Sequence, residues 1–279
     1  MTATVRRVEQ LMGMPVSLAV RGPAGLPAVD AAWAAVVAEL REVDRVFSRY
    51  RADSVVSRLG RGELALADCP PEVAEVLALG ARAEEESGGA FRVHRPGPDG
   101  ILRLDADGVV KGWAVQRAAR HLAALAGSGT CLSAGGDMVC TTADPAAPPW
   151  RIGIEDPHDP RRVLAVVPVT DGAVATSGTA HRGEHLVDAR TGRPPSGVAS
   201  VTVIADDLGR ADVDATAAYA HGPDAAAWLS TRPGRTGLVV WADGTTTTIG
   251  SPVTPSRAAG ISGRPLRSRR PGRGPGAGW

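Results

Sequence analysis

Between Thr130 and Trp241 the chain passes through seven short β-branched runs: Thr130 to Ser133, Met138 to Thr141, Trp150 to Ile154, Val163 to Val169, Ala173 to Thr176, Ser200 to Ala205 and Gly237 to Trp241. Each is bounded by Gly, Pro or Asp, the punctuation of strands. Two helical stretches, Ala211 to Ala220 and Asp224 to Thr231, interrupt them. The first half reads differently. After Met12-Gly13 comes one strand, Val16 to Val20, and then Val29 to Phe47 places Ala32, Val36, Leu40, Val43 and Phe47 on one helical stripe. Pro70-Pro71 opens a second helix, Glu72 to Ser87, which Gly88-Gly89 closes, and Gly112 to Leu125 forms a third. Helices and strands therefore mix in an α+β pattern. No Gly-x-Gly-x-x-Gly follows a strand, so a Rossmann domain is not supported.

With 43% hydrophobic residues in 279, the chain can bury a sizeable core. Its net charge of +1 hides an asymmetry, because Arg257, Arg264, Arg267, Arg269, Arg270 and Arg273 follow Ser251 with no acid among them. Taking those six from 31 basic residues leaves 25 against 30 acidic ones, about −5 for the body, which is no footprint for nucleic acid. Residues 251–279 are Pro, Gly, Ser and Arg without apolar periodicity and read as a disordered basic tail on a folded domain of residues 1–250. Met1 to Gln10 is too polar for a signal h-region, and no apolar run approaches the roughly 18 residues of a membrane span. Cys69, Cys131 and Cys140 show no Cys-x-x-Cys spacing, which fits reduced thiols and a cytoplasmic location.

The chain has no Asn and a single Lys, Lys111, among its 31 basic residues. Where coding bias converts Lys to Arg, a surviving ammonium points to a place too tight for the guanidinium fork, unless it survives by chance. Lys111 lies in Leu104-Asp105-Ala106-Asp107-Gly108-Val109-Val110-Lys111-Gly112-Trp113, read as a Gly-containing turn feeding a helix. Such a turn is ordinary, yet it also leaves backbone groups free for an anion or a metal. Further along, Asp212 and Thr216 are four apart on a helix, so both side chains share one face. That pair suits two oxygen ligands of a hard cation, and Asp212 equally suits a helix cap. Asp214 is expected to point into solvent. Five histidines have no constellation and read as surface residues; His185 differs, because it opens His185-Leu186-Val187-Asp188-Ala189-Arg190-Thr191-Gly192, where a strand-like step meets a turn.

Taken in order, these pieces resemble one family. Met12-Gly13, Asp44 to Ser54, Gly88-Gly89-Ala90-Phe91, Lys111-Gly112-Trp113-Ala114, Ala134-Gly135-Gly136-Asp137, Ala175-Thr176-Ser177-Gly178, His185 to Gly192 and Ala211-Asp212 to Thr216 follow the order of the FAD:protein FMN transferases (ApbE-like flavin transferases). The resemblance runs over roughly residues 8 to 245. It implies a single T-fold-like α+β domain with helices packed on a mixed or antiparallel sheet. It also implies FAD as substrate, Mg²⁺ as cofactor and an acceptor protein offering a Thr or Ser hydroxyl. Carried over by position, Met12, Tyr50, Ala90, Phe91, Arg92, Asp105 and Leu186 would contact FAD. Lys111 would lie by the phosphates, and Gly108, Asp212 and Thr216 would hold Mg²⁺. His185 is the candidate general base. The implied reaction moves FMN onto the acceptor and releases AMP; hydrolysis of FAD to FMN and AMP, or flavin binding without catalysis, are the alternatives. The chain departs from the family pattern at Arg92, where Asp is usual, at Gln116, where an acid is usual, at Gly60 in place of Asn, and in the short segment between Phe91 and Leu104.

Overall fold

The structure, a computed structural model, describes residues 4–96, 102–144, 146–178, 186–250 and 254–255. In chain order its strands are β1 (Val5–Leu11), β2 (Met14–Arg21), β3 (His94–Pro96), β4 (Leu102–Leu104), β5 (Gly129–Ala134), β6 (Asp137–Thr141), β7 (Trp150–Asp156), β8 (Asp159–Val169), β9 (Gly172–Gly178), β10 (Val198–Ala205), β11 (Thr236–Trp241), β12 (Thr246–Ile249) and β13 (Thr254–Pro255). The α-helices are α1 (Leu26–Phe47), α2 (Val55–Gly60), α3 (Pro71–Glu86), α4 (Asp107–Ala119), α5 (Leu208–Ala220) and α6 (Ala225–Ser230).

Eight strands form one sheet in the order β1-β2-β5-β6-β9-β10-β11-β12, and every pairing in it is antiparallel. Period-two alternation sorts its side chains onto two faces. Val16, Leu18, Leu132, Val139, Ala175, Val201 and Val203 pack with α1, α4 and α5 in the larger core. Cys140, Val174, Ala199, Leu238 and Val240 turn the other way, onto Trp150, Ile152, Ile154, Ala165 and Val167 of a small sheet ordered β13-β8-β7. Helices, main sheet and small sheet make three layers, the expected α+β class.

Two elements close to the cleft depart from the sequence reading. Helix α4 begins at Asp107 rather than Gly112, because the Ala106 carbonyl accepts from Val109 and Val110. Lys111 therefore sits in the second helical turn, and Gly108 is helical instead of part of a loop. Strand β1 was not anticipated. As an edge strand it alternates half-buried and exposed residues and carries Arg6, Arg7 and Glu9, the charges that blunt a sheet edge. In the segment read as a tail, Thr254 and Pro255 pair with Val166 and Ala165 of β8; the rest of that segment lies outside the described residues.

Candidate active site

The β5–β6 connection is a two-residue turn, Gly135-Gly136, with φ of 58° and 96°. Both angles lie where L side chains are strained, which explains the glycine pair. Strand β9 runs past this turn: Asp137 Oδ1 accepts from the Thr176 N–H at 3.0 Å, and Ser177 and Gly178 continue beyond it. The space left beside β9 is a cleft of about 650 Å³.

On the helix side, α4 and α5 cross closely. A Cβ on Gly112 would stand 2.7 Å from both Asp212 Cβ and the Leu208 carbonyl oxygen, so only glycine fits there. The Gly112 N–H donates to Asp212 Oδ2 at 3.0 Å. One residue earlier, Lys111 Nζ lies 2.6 Å from Asp137 Oδ2 and 3.2 Å from Asp212 Oδ1. Asp137 faces the helices because it shares the parity of Val139. Burial works to lower the Lys111 pKa, but the two carboxylates outweigh it and raise it above the ordinary range, so the ammonium stays charged. Burial, with Asp137 adding to it against the pull of Lys111, pushes Asp212 up to about 7. Thr216, one turn on from Asp212, shares a hydrogen bond with Ser177 Oγ at 3.0 Å, and both line the cleft.

The opposite wall comes from β7, through Gly153, Ile154 and Glu155, with Met138, Thr176 and Ser200 from the main sheet. Ser200 is 4% exposed, and its Oγ has no hydrogen-bond partner among the described residues. A buried hydroxyl beside a cleft is a group a ligand can satisfy. The mouth carries Arg49, which reaches Asp105 Oδ2 at 3.1 Å and Asp107 at 2.7 Å, and Tyr50, 84% exposed.

The cleft thus gathers Tyr50, Ala90, Phe91, Arg92, Asp105, Gly108, Lys111, Leu186, Asp212 and Thr216 from the sequence reading. Ala90 and Phe91 are pinned by backbone: Ala189 N–H donates to the Ala90 carbonyl, and Phe91 N–H to Ser87 Oγ. Phe91 also covers Gly108, whose Cβ would meet its ring at 2.9 Å. Met12 does not line the cleft; it is half-buried against the larger core in the β1–β2 turn, with φ of 51°. The start of β2, just after that turn, touches the site's frame, since the Pro15 carbonyl accepts from the Gly135 N–H. His185 lies outside the described residues.

Arg92 pairs with Glu84 at 3.0 Å at the rim. Gln116 does not reach the cleft: its Oε1 accepts from the Leu208 N–H at 2.8 Å and so satisfies a donor at the start of α5, which an acid would do equally. Asp214, expected in solvent, is 3% exposed and bound to Arg232 at 3.2 Å and Arg235 at 2.6 Å, because α5 is buried on nearly every side. His221, expected at the surface, is half-buried and stacks on Trp228, and burial lowers its pKa. Asp137 and Ser200 received no role from the sequence. The first belongs to a quoted motif, and only sheet register reveals that it meets Lys111.

A family model described as the ApbE family matches residues 12–96 and 94–239. The chain belongs to the ApbE family. The FAD:protein FMN transferase of Rhodobacter capsulatus is 32% identical over 173 residues, which cover 57% of this chain and 32% of that protein. The protein of the same name from Escherichia coli K12 is 32% identical over 143 residues, covering 48% of this chain and 41% of its own. The matched part therefore spans less than half the length of these curated relatives. The ApbE fold is also seen in an ApbE protein from Thermotoga maritima, with TM-score 0.76, 21% identity and coverage of 88% of this chain and 97% of that one. The flavin transferase ApbE from Vibrio cholerae gives TM-score 0.75 at 22% identity over 90% and 98%.

Proposed function

We propose that this ApbE-family chain binds FAD in the cleft and transfers its FMN half to a Thr or Ser hydroxyl of an acceptor protein, releasing AMP, with Mg²⁺ as cofactor. The observation that carries the reading is the buried cluster at the cleft floor, where one ammonium faces two carboxylates. With both carboxylates ionised this cluster sums to −1, so a pyrophosphate approaches it favourably only together with a cation. The donor set fits Mg²⁺. Asp212 and Thr216 offer a carboxylate and a hydroxyl one turn apart, and Gly108, on the same cleft, would add its carbonyl. One carboxylate, one hydroxyl and one carbonyl would leave the remaining positions to the phosphate oxygens and water that Mg²⁺ usually keeps. When bound, Mg²⁺ would neutralise charge on the phosphates.

Each side chain then has a task. Ion pairing with Asp137 and Asp212 holds the Lys111 ammonium at the cleft lining. There it would hold a phosphate oxygen as negative charge grows on the departing AMP. Asp137 orients Lys111, and Gly112 orients Asp212. Phe91 and Leu186 supply apolar walls for flavin, while the Ser200 hydroxyl supplies a buried polar partner. Tyr50, Ala90, Arg92 and Asp105 would border the ligand at the mouth. Met12 would act from outside the lining. His185, next in sequence to Leu186, is the candidate base for the acceptor hydroxyl.

Titrating FAD into the protein with and without Mg²⁺, following flavin fluorescence, tests the binding half of this reading. Saturable binding strengthened by Mg²⁺ is expected. FAD affinity that ignores the cation and survives Asp212→Ala unchanged would remove the metal assignment.

A further inference from the structure

We propose that Cys131 and Cys140 form a reversible disulfide site, closed by thiol–disulfide exchange with a small-molecule disulfide such as oxidised glutathione. The two residues are register partners on β5 and β6, and their sulfurs lie 3.4 Å apart, with the Cys140 thiol donating to Cys131 Sγ. Counting back from the Gly135-Gly136 turn, Ala134 and Asp137 form the hydrogen-bonded pair that closes it. Alternation then makes Cys131 and Cys140 a non-hydrogen-bonded pair, whose Cα atoms stand about 4.5 Å apart with side chains at their closest. That spacing falls inside the range a disulfide spans without moving backbone.

The surroundings give the two sulfurs different roles. Arg6, Ala19, Cys131 and Cys140 lie in one row across β1, β2, β5 and β6, on the face that carries the small sheet. Cys140 is fully buried in that layer, whereas Cys131 is half-buried, with only the small Ala19 and the exposed Arg6 between it and the sheet edge. The hydrogen bond from Cys140, together with Arg21 and Arg6, lowers the Cys131 pKa, and the same bond and burial raise that of Cys140. Cys131 is therefore the entry point. Its thiolate attacks one sulfur of the oxidised disulfide and expels one thiolate, which takes up the proton Cys131 gave up. The Cys140 thiol then loses its proton and attacks Cys131 Sγ, expelling the second small thiol. One protein disulfide forms, and one small disulfide is reduced to two thiols.

The closed loop would contain the Gly135-Gly136 turn and Asp137, so the bond would clamp the hairpin that carries one wall of the cleft and the partner of Lys111. The site does not depend on the proposed reaction.

The test uses the full chain, folded, in millimolar oxidised glutathione, followed by acid quench, alkylation and peptide mass spectrometry. The peptide holding both cysteines should lose the mass of two hydrogens and take no alkyl group, and dithiothreitol should restore both sites. Alkylation of both cysteines after this exposure overturns the proposal, as does a mixed disulfide on Cys131 that persists beside an alkylatable Cys140. In Cys140→Ala, Cys131 should instead retain one glutathione; no adduct there would refute its role as entry point.

Discussion

Adding one methyl group at Gly112 should separate the two helices that carry the cleft floor. In Gly112→Ala the new Cβ would lie 2.7 Å from Asp212 Cβ and from the Leu208 carbonyl oxygen, both on α5 and neither on a flexible side-chain end. Carbon pairs rest at about 3.5–4.0 Å, so the helices must part by roughly an ångström. Such overpacking costs ~1–3 kcal/mol, and stretching the Gly112 N–H to Asp212 bond puts at risk a charge-assisted hydrogen bond of ~1.5–3 kcal/mol. Against this, Ala gains about 1 kcal/mol over Gly in a helix. The net loss, with the hydrogen bond given up, is ~1.5–5 kcal/mol, which lowers the melting temperature by roughly 3–20 °C for a domain of this size. Thermal unfolding by circular dichroism measures it. Gly60→Ala is the control: Gly60 ends α2 with nothing within 4 Å of its Cβ position, so stability there should hold or rise slightly. If Gly112→Ala melts at or above the parent temperature, the close α4–α5 crossing is not what positions Asp212.

The remaining expectations concern charge. Lys111→Met should slow FMN transfer by about 10²–10³-fold, and Lys111→Arg should also lose activity because a planar fork does not reproduce the compact ammonium that meets both Asp137 and Asp212; transfer rates at saturating FAD decide it, and parent-like rates for the Arg variant would end the argument from the surviving lysine. Asp214→Ala should destabilise by ~3–5 kcal/mol in urea unfolding by leaving the largely buried Arg235 side chain without its carboxylate and Arg232 with Glu86 alone, while FAD affinity stays near that of the parent; an unaltered midpoint contradicts this. Mg²⁺ affinity should rise as the pH climbs through about 7, because below that value Asp212 keeps a proton that competes with the ion and above it offers a carboxylate. Calorimetric titrations at several pH values giving one constant affinity would show that Asp212 is not a ligand.

Much of the molecule was legible from local pattern. The stripe from Ala32 to Phe47 marked α1, and the β-branched runs marked the cores of β5 through β11, because burial on one face imposes a period on the residues themselves. What escaped depends on distant neighbours. Asp214 looks like any polar helix residue until α5 is seen enclosed, with Arg232 and Arg235 folding back across 18 and 21 residues to neutralise it. The start of α4 was obscured by Gly108, a residue that weakens a helix, and glycine is tolerated there because the Phe91 ring fills the space. The order of motifs brought Lys111, Asp212 and Thr216 to notice. That Lys111 meets Asp137 as well as Asp212 required the β5–β6 register and the crossing of α4 with α5, which no sequence window contains.

The central claim is that the cleft transfers FMN rather than merely binding or splitting FAD. The direct measurement is to incubate the chain with FAD, Mg²⁺ and a protein presenting an acceptor Thr or Ser, then record the acceptor's intact mass and the AMP released. The account predicts an acceptor heavier by FMN less one water, with AMP appearing mole for mole. Free FMN and AMP beside an unmodified acceptor, or FAD left intact, would contradict it.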